Sequence, residues 1–198
     1  MNAPLRLKIE TDSGTMVARL YNQTPLHRDN FVKLVKEHFY DGLLFHRVVP
    51  DFMIQGGDPL SKNAKPGEAL GEGGLKYTIP AEFDTALFHK KGALAMAREG
   101  DANNPEKASS SCQFYIVEGK KLTNEELDQM EERFALTIPE NHREVYRTLG
   151  GTPFLDTKYT VFGEIESGLE IIDKIARAPR DSRNRPLGDI HMKISILK

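Results

Sequence analysis

Arg47 stands among Phe45, Val48 and Val49, and Gln55 stands behind Phe52, Met53 and Ile54. A guanidinium and a primary amide, each embedded in apolar residues, describe an apolar slot edged by a few polar donors. The stretch that holds both, Phe45 to Asp58, reads FHRVVPDFMIQGGD. It is apolar and β-branched, breaks at Pro50–Asp51, runs apolar again, and closes on Gly56–Gly57–Asp58. That is the pattern of two short strands joined at a kink, the second ending in a turn. Side chains alternate between the faces of a strand, so Phe45, Arg47 and Val49 share one face, and Met53 and Gln55 can share one after the kink. The competing reading is a core strand whose arginine buries its stem and sends its charge to water. The residue pattern by itself leaves both readings open.

Other residue types that could carry chemistry point elsewhere. Ser109–Ser111 suggests a nucleophile, but no histidine lies in a recognisable partner motif and no glycine-flanked elbow holds a serine. A serine-rich loop is expected there. The six histidines (His27, His38, His46, His89, His142 and His191) show no paired ligand spacing, so no metal centre is expected. Gly71-Glu72-Gly73-Gly74 has no strand before it, no helix after it and no Lys-Ser/Thr following, which argues against a phosphate cradle. No cofactor is expected. The single cysteine, Cys112, excludes an intrachain disulfide and reads as a small buried hydrophobe.

The surrounding elements follow from periodicity. Leu5–Ile9 and Thr15–Leu20 alternate around the Asp12-Ser13-Gly14 turn and predict a hairpin. Thr24-Pro25 predicts an N-cap with proline in the first helical turn, and Phe31, Leu34, Val35 and His38 or Phe39 place an apolar stripe on the helix. After the Gly- and Pro-rich loop following Asp58, a short extended piece is expected over Tyr77–Phe83. Strands are expected over Gly92–Ala97 and Gln113–Val117. Thr123–Glu126 has the form of a capping box, with Leu127, Met130 and Phe134 at helical spacing behind it. Pro139 interrupts, and a second helix with Val145, Tyr146 and Leu149 closes on Gly150–Gly151. The amphipathic helix Leu169–Ala176, the loop Asp181–Pro186 and the alternating strand His191–Leu197 complete the chain.

Four patches in order resemble the cyclophilins, the peptidyl-prolyl cis-trans isomerases. These are Phe45-His46-Arg47 with Gln55-Gly56-Gly57-Asp58, then Gly92–Ala97, then Ser111–Ile116, then Phe154-Leu155-Asp156 with Val161-Phe162-Gly163-Glu164. The resemblance covers nearly the whole chain except about 35 residues between Val117 and Phe154. It implies a mainly β fold, a closed eight-stranded antiparallel barrel capped by two helices. One domain spanning 1–198 is expected, with a helical hairpin inserted at about 119–152 where family members have a short turn.

The resemblance also implies roles for residues at matched positions. Arg47 would be the catalytic donor, aimed at the prolyl nitrogen as the peptide bond twists or at the prolyl carbonyl beside it. Phe52, Met53, Tyr115 and Leu155 would line the proline slot, and Gln55 and Gln113 would hold the peptide and orient Arg47. The backbone at Ala97 and Arg98 would pair with the substrate strand. Three positions depart from the common pattern: Arg98 for asparagine, Phe154 for tryptophan before the slot leucine, and Tyr159 for the slot histidine. Phe154 implies weak cyclosporin binding. The hairpin, joined to the barrel beside Tyr115 and Leu155, would shape one rim of the groove. The alternatives are a proline-peptide binding module without useful catalysis, or a holdase whose apolar face lies on Met130–Phe134.

Proline-containing polypeptides are therefore the expected partners, and a monomer is expected. A net charge of −2 gives no electrostatic reason to expect nucleic acid. No apolar run approaches the ~18 residues of a membrane span, and Met1–Arg6 carries no signal-peptide core. A cytoplasmic location is expected, or a periplasmic or lipid-anchored one if an export signal has been removed.

Overall fold

Residues 5–197 are described by the structure, a computed structural model; the reading of Met1–Pro4 as free of a signal core lies outside them. Alternation produces the expected hairpin, β1 (Arg6–Thr11) against β2 (Gly14–Leu20), with Ile9 opposite Met16. The central kinked segment forms β3 (Arg47–Val49) and β4 (Met53–Gly56). The short β5 (Thr78–Ile79) follows, then β6 (Ala93–Met96). Next come β7 (Ser109–Ser110) and β8 (Phe114–Val117). The last two strands are β9 (Val161–Ser167) and β10 (Met192–Ile196). Eight of them form one antiparallel sheet in the order β10-β1-β2-β9-β6-β8-β4-β3, while β5 pairs with β7 apart from it.

This sheet curls strongly but is not the closed barrel expected. Its edge strands β3 and β10 share no ladder. The seam is spanned by the chain just before β3, through a single bridge between Leu44 and His191. Phe45 N–H donates to Ile190 C=O at 2.9 Å, and Met192 N–H donates to Leu43 C=O at 2.8 Å. The outer side of β3 is met by the C-terminal loop instead, where Val48 N–H donates to Asn184 C=O at 2.9 Å.

Helix α1 (Pro25–Lys36) buries His27, Phe31, Leu34 and Val35. Its N-terminus is not capped as expected, because the Thr24 hydroxyl makes no cap bond. The Glu82 carboxylate, from a distant loop, accepts the N–H groups of Leu26 (3.0 Å) and His27 (2.9 Å) instead. An anion there answers both the orphan donors and the positive end of the helix dipole. The inserted helices are α2 (Asn124–Phe134) and α3 (Glu140–Thr148). The capping box is present in both directions between Thr123 and Glu126. The last helix, α4 (Leu169–Ala176), buries Ile171, Ile172 and Ile175 in the main core alongside the α1 stripe.

The hairpin carries a small core of its own, Leu122, Leu127, Ile138 and Tyr146, with Phe88 and Met130 packed on it. Its two ends meet where Gly151 bridges both Lys90 and Lys120. A Cβ on Gly151, whose φ is 152°, would meet the His89 carbonyl and the Tyr146 ring, so only glycine fits this neck. In the hairpin Met130 packs on this small core and Phe134 is half-buried. Among the described residues no helix is long and apolar enough to cross a membrane.

Candidate active site

The sheet registers bring the distant patches together. Arg47 lies opposite Gln55, Gln55 opposite Tyr115, and Tyr115 opposite Ala95. The kink between β3 and β4 depends on Asp51, which takes a left-handed φ of 59°. Its N–H donates to the buried Glu118 carboxylate at 2.6 Å, and the Arg177 guanidinium reaches that carboxylate's other oxygen at 2.8 Å. Burial pushes the Glu118 carboxyl up from its ordinary range, against these two partners. The backbone N–H groups of Glu118 and Gly119 both donate to Phe52 C=O, which fixes Phe52 at the tip of the kink.

Gln55 and Gln113 form an oriented amide chain. Arg47 Nη1 donates to Gln55 Oε1 (3.1 Å), and Gln55 Nε2 donates to Gln113 Oε1 (3.0 Å). Gln113 Nε2 donates in turn to the carbonyls of Gly71 (2.8 Å) and Gly73 (2.7 Å). The glycine loop is therefore the anchor of this chain, and Asp58 holds the loop in place by accepting Gly71 N–H at 2.6 Å. The guanidinium of Arg47 lies 6.0 Å from the Phe52 ring centroid. With one donor committed to Gln55, it keeps others for a ligand.

All the anticipated site residues except Gln113 and Phe154 line one cleft of about 340 Å³. That is enough for a small apolar ring with flanking backbone. Gln113 acts from behind Gln55. Phe154 is not part of the wall; it stands at the rim between Phe52 (ring centroids 5.7 Å apart) and Phe134 of the hairpin (5.6 Å). The reason is that the turn Pro153–Leu155 points Leu155 inward and Phe154 outward.

Two further expectations need correction. The backbone of Ala97 is already used: its N–H donates to Gln113 C=O (3.0 Å) and its C=O accepts Ser110 N–H (2.8 Å). Among the described residues the Arg98 backbone N–H and C=O have no partner. The Arg98 side chain has its own place. It lies 4.4 Å over the Tyr159 ring and donates through Nε to Lys158 C=O at 2.8 Å, so the two departures at 98 and 159 form one contact. Ser109 also has a histidine partner after all. His27 Nε2 lies 2.8 Å from Ser109 Oγ, and His27 Nδ1 lies 2.7 Å from Glu82 Oε2. Serine and imidazole are both buried and neither lines the cleft, so no substrate carbonyl can reach them.

Sequence reasoning missed the far wall of the cleft, built by His46, Glu68–Glu72, Arg183 and Arg185. His46 is buried, neither ring nitrogen has a hydrogen-bond partner among the described residues, and burial lowers its pKa to about 4, so it faces the cleft as a neutral imidazole. Arg185 is buried too and donates to Lys65 C=O (3.0 Å), pinning the loop to the C-terminal segment. Nothing periodic marks these residues, because they meet through two irregular loops. The Phe45–Arg47 segment does contain His46, and alternation puts its side chain on the face opposite Arg47 only while the strand is regular; β3 starts at Arg47.

The model of the family described as cyclophilin type peptidyl-prolyl cis-trans isomerase matches residues 6–195. A Staphylococcus aureus protein with peptidyl-prolyl cis-trans isomerase in its name is 35% identical over 187 residues, covering 94% of this chain and 88% of its own. A Staphylococcus haemolyticus relative of the same name is 33% identical, with 94% and 87% covered. The crystal structure of a cyclophilin type isomerase from Cryptosporidium parvum superimposes with a TM-score of 0.73 at 24% identity, covering 99% of both chains. A second structure of that protein, in the presence of the dipeptide Ala-Pro, gives 0.71.

Proposed function

The chain belongs to the cyclophilin-type peptidyl-prolyl cis-trans isomerases, and from that premise we propose that Arg47 drives the isomerisation in the cleft walled by Phe52, Met53, Tyr115 and Leu155. The X–Pro bond resists rotation with a barrier of roughly 18–20 kcal/mol because twisting breaks amide resonance. Its two isomers differ by only about 0.5–1 kcal/mol, so the catalyst must act on the barrier. No nucleophile or acid is required: the twisted nitrogen becomes a pyramidal amine that accepts a hydrogen bond. A donor fixed at that point stabilises the twisted bond more than the planar one.

The observation that carries this reading is the Arg47–Gln55–Gln113 chain, which holds a guanidinium at the edge of an apolar cleft before any peptide arrives. Donors fixed in advance cost no reorganisation during the reaction. Burying a proline ring contributes about 1–2 kcal/mol, so binding is weak and tolerant of sequence. The Arg98 backbone would pair with the substrate strand, and Arg98 on Tyr159 closes that side of the groove. The Phe134–Phe154–Phe52 contact supports a hairpin that shapes the rim, and deletion of residues 121–148 with a short linker would then change peptide preference. Phe154 in place of a tryptophan supports weak cyclosporin binding.

The test is NMR exchange on an Ala-Pro peptide, the dipeptide used with the Cryptosporidium protein. Arg47→Ala is expected to lower kcat/KM by about 10²- to 10³-fold. An Arg47→Ala protein as fast as the parent would overturn the assignment.

A further inference from the structure

Tyr115 presents its ring to the cleft, but its hydroxyl points inward, 2.8 Å from His89 Nε2. His89 is fully buried, and its ring lies within 13° of the Tyr115 ring plane. Its Nδ1 lies 2.9 Å from Asp156 Oδ1, the same oxygen that accepts its backbone N–H at 2.8 Å. The other carboxylate oxygen of Asp156 accepts the Tyr146 hydroxyl of α3 at 2.6 Å. A carboxylate can only accept, so Nδ1 must carry a hydrogen. In a neutral ring Nε2 is then an acceptor, and the Tyr115 hydroxyl donates to it. With the ring neutral, the direction of every bond from Tyr146 to Tyr115 is determined.

A hydroxyl, an imidazole and a carboxylate in line suggest nucleophilic catalysis, but burial excludes it. Desolvation pushes the Tyr115 phenol well above its ordinary range, and removing its proton would leave an interior phenolate. A tether is what remains. A phenylalanine would supply the same apolar ring, so the hydroxyl's work is to hold the ring at one angle. Asp156 follows Leu155 directly, so the same anchor sets the turn that carries the opposite wall of the slot.

We propose that His89 and Asp156 are positioning residues for the proline slot, and that Tyr146 makes the inserted hairpin part of the frame that holds it. This rests on the cleft being the proline site. The route differs from the rim contact through Phe134, because it reaches the floor of the slot through buried polar groups rather than its edge through aromatic ones. The hairpin thus limits how far the Tyr115 ring can yield to a substrate. It tunes fit to the proline ring and leaves the Arg47 donor untouched.

Tyr146→Phe and Tyr115→Phe each delete one oxygen and keep the ring. In NMR exchange with an Ala-Pro peptide at several concentrations, each is expected to raise KM about 3- to 10-fold with kcat changed less than about twofold. The double variant should be no worse than the worse single one, because either cut opens the same chain. Unchanged KM in Tyr146→Phe, or effects that multiply, would overturn the proposal. Nitrogen chemical shifts of the parent protein test it without any variant: His89 must be protonated at Nδ1, and the opposite tautomer refutes the relay. Arg47→Ala separates the two readings. If it is inactive while Tyr146→Phe is unaltered, only the relay falls; if it keeps full activity, the Arg47 mechanism falls instead.

Discussion

Ser109–His27–Glu82 and Tyr115–His89–Asp156 are built alike. In each, one carboxylate oxygen takes both the backbone N–H and Nδ1 of a fully buried histidine, whose Nε2 meets a hydroxyl. They differ in where the hydroxyl ends. Ser109 lies in the small β5–β7 pair, and its histidine sits in the first turn of α1, so that triplet ties a helix to a loop. Tyr115 lies on β8 with its ring in the cleft, and Asp156 goes on to Tyr146 of the hairpin. The same three groups therefore act as a rivet in one place and as a wall support in the other. Geometry within a triplet does not reveal its use; the cavity beside it does.

Removing the carboxylates tests the shared half of this comparison. Glu82→Ala strands a buried imidazole and two backbone N–H donors, Asp156→Ala strands a buried imidazole, one backbone N–H and the Tyr146 hydroxyl, and each is expected to cost about 3 kcal/mol or more in urea unfolding. The comparison breaks at activity: per folded molecule, Glu82→Ala should isomerise like the parent and Asp156→Ala should not. Equal activities would mean that the second triplet is also only a rivet.

Acid sharpens the contrast with a third buried imidazole. His46 makes no hydrogen bond to a carboxylate among the described residues, and burial lowers its pKa to about 4 against the nearby Asp58 charge; His27 is lowered as well, with burial outweighing Glu82. Both folded pKa values lie below the unfolded one near 6.5, so the unfolded chain takes up protons first. The stability these rings contribute is whole above about pH 6.5 and is lost as pH falls toward 4, by about 3 kcal/mol for His46 alone. Thermal unfolding from pH 7 to 4 checks this, and His46→Gln should flatten the profile.

The smallest effect is the most discriminating. Ser109→Ala removes one hydroxyl from the rivet, and is expected to lower stability by about 1 kcal/mol while leaving kcat/KM within about twofold. A large loss of activity in Ser109→Ala would erase the distinction between the two triplets.

Much of the site could be read from the chain because strands alternate and helices repeat. Arg47, Gln55, Phe52 and Met53 sit within nine residues of one another, so a kinked pair of strands was enough to set them around one slot. The capping box of α2 and the apolar stripe of α4 were equally local. Other features had no local signal. Glu82 is 55 residues from His27, Asp156 is 67 from His89, and Gln113 is 40 from the Gly73 carbonyl that holds it. A buried polar group must find a partner, but desolvation does not specify where along the chain that partner comes from. The sheet's open seam, the outward turn of Phe154 and the occupied backbone of Ala97 are of the same kind. Periodicity determined which side chains share a face; only the packed, curled sheet and its hairpin decided which distant groups those faces would meet.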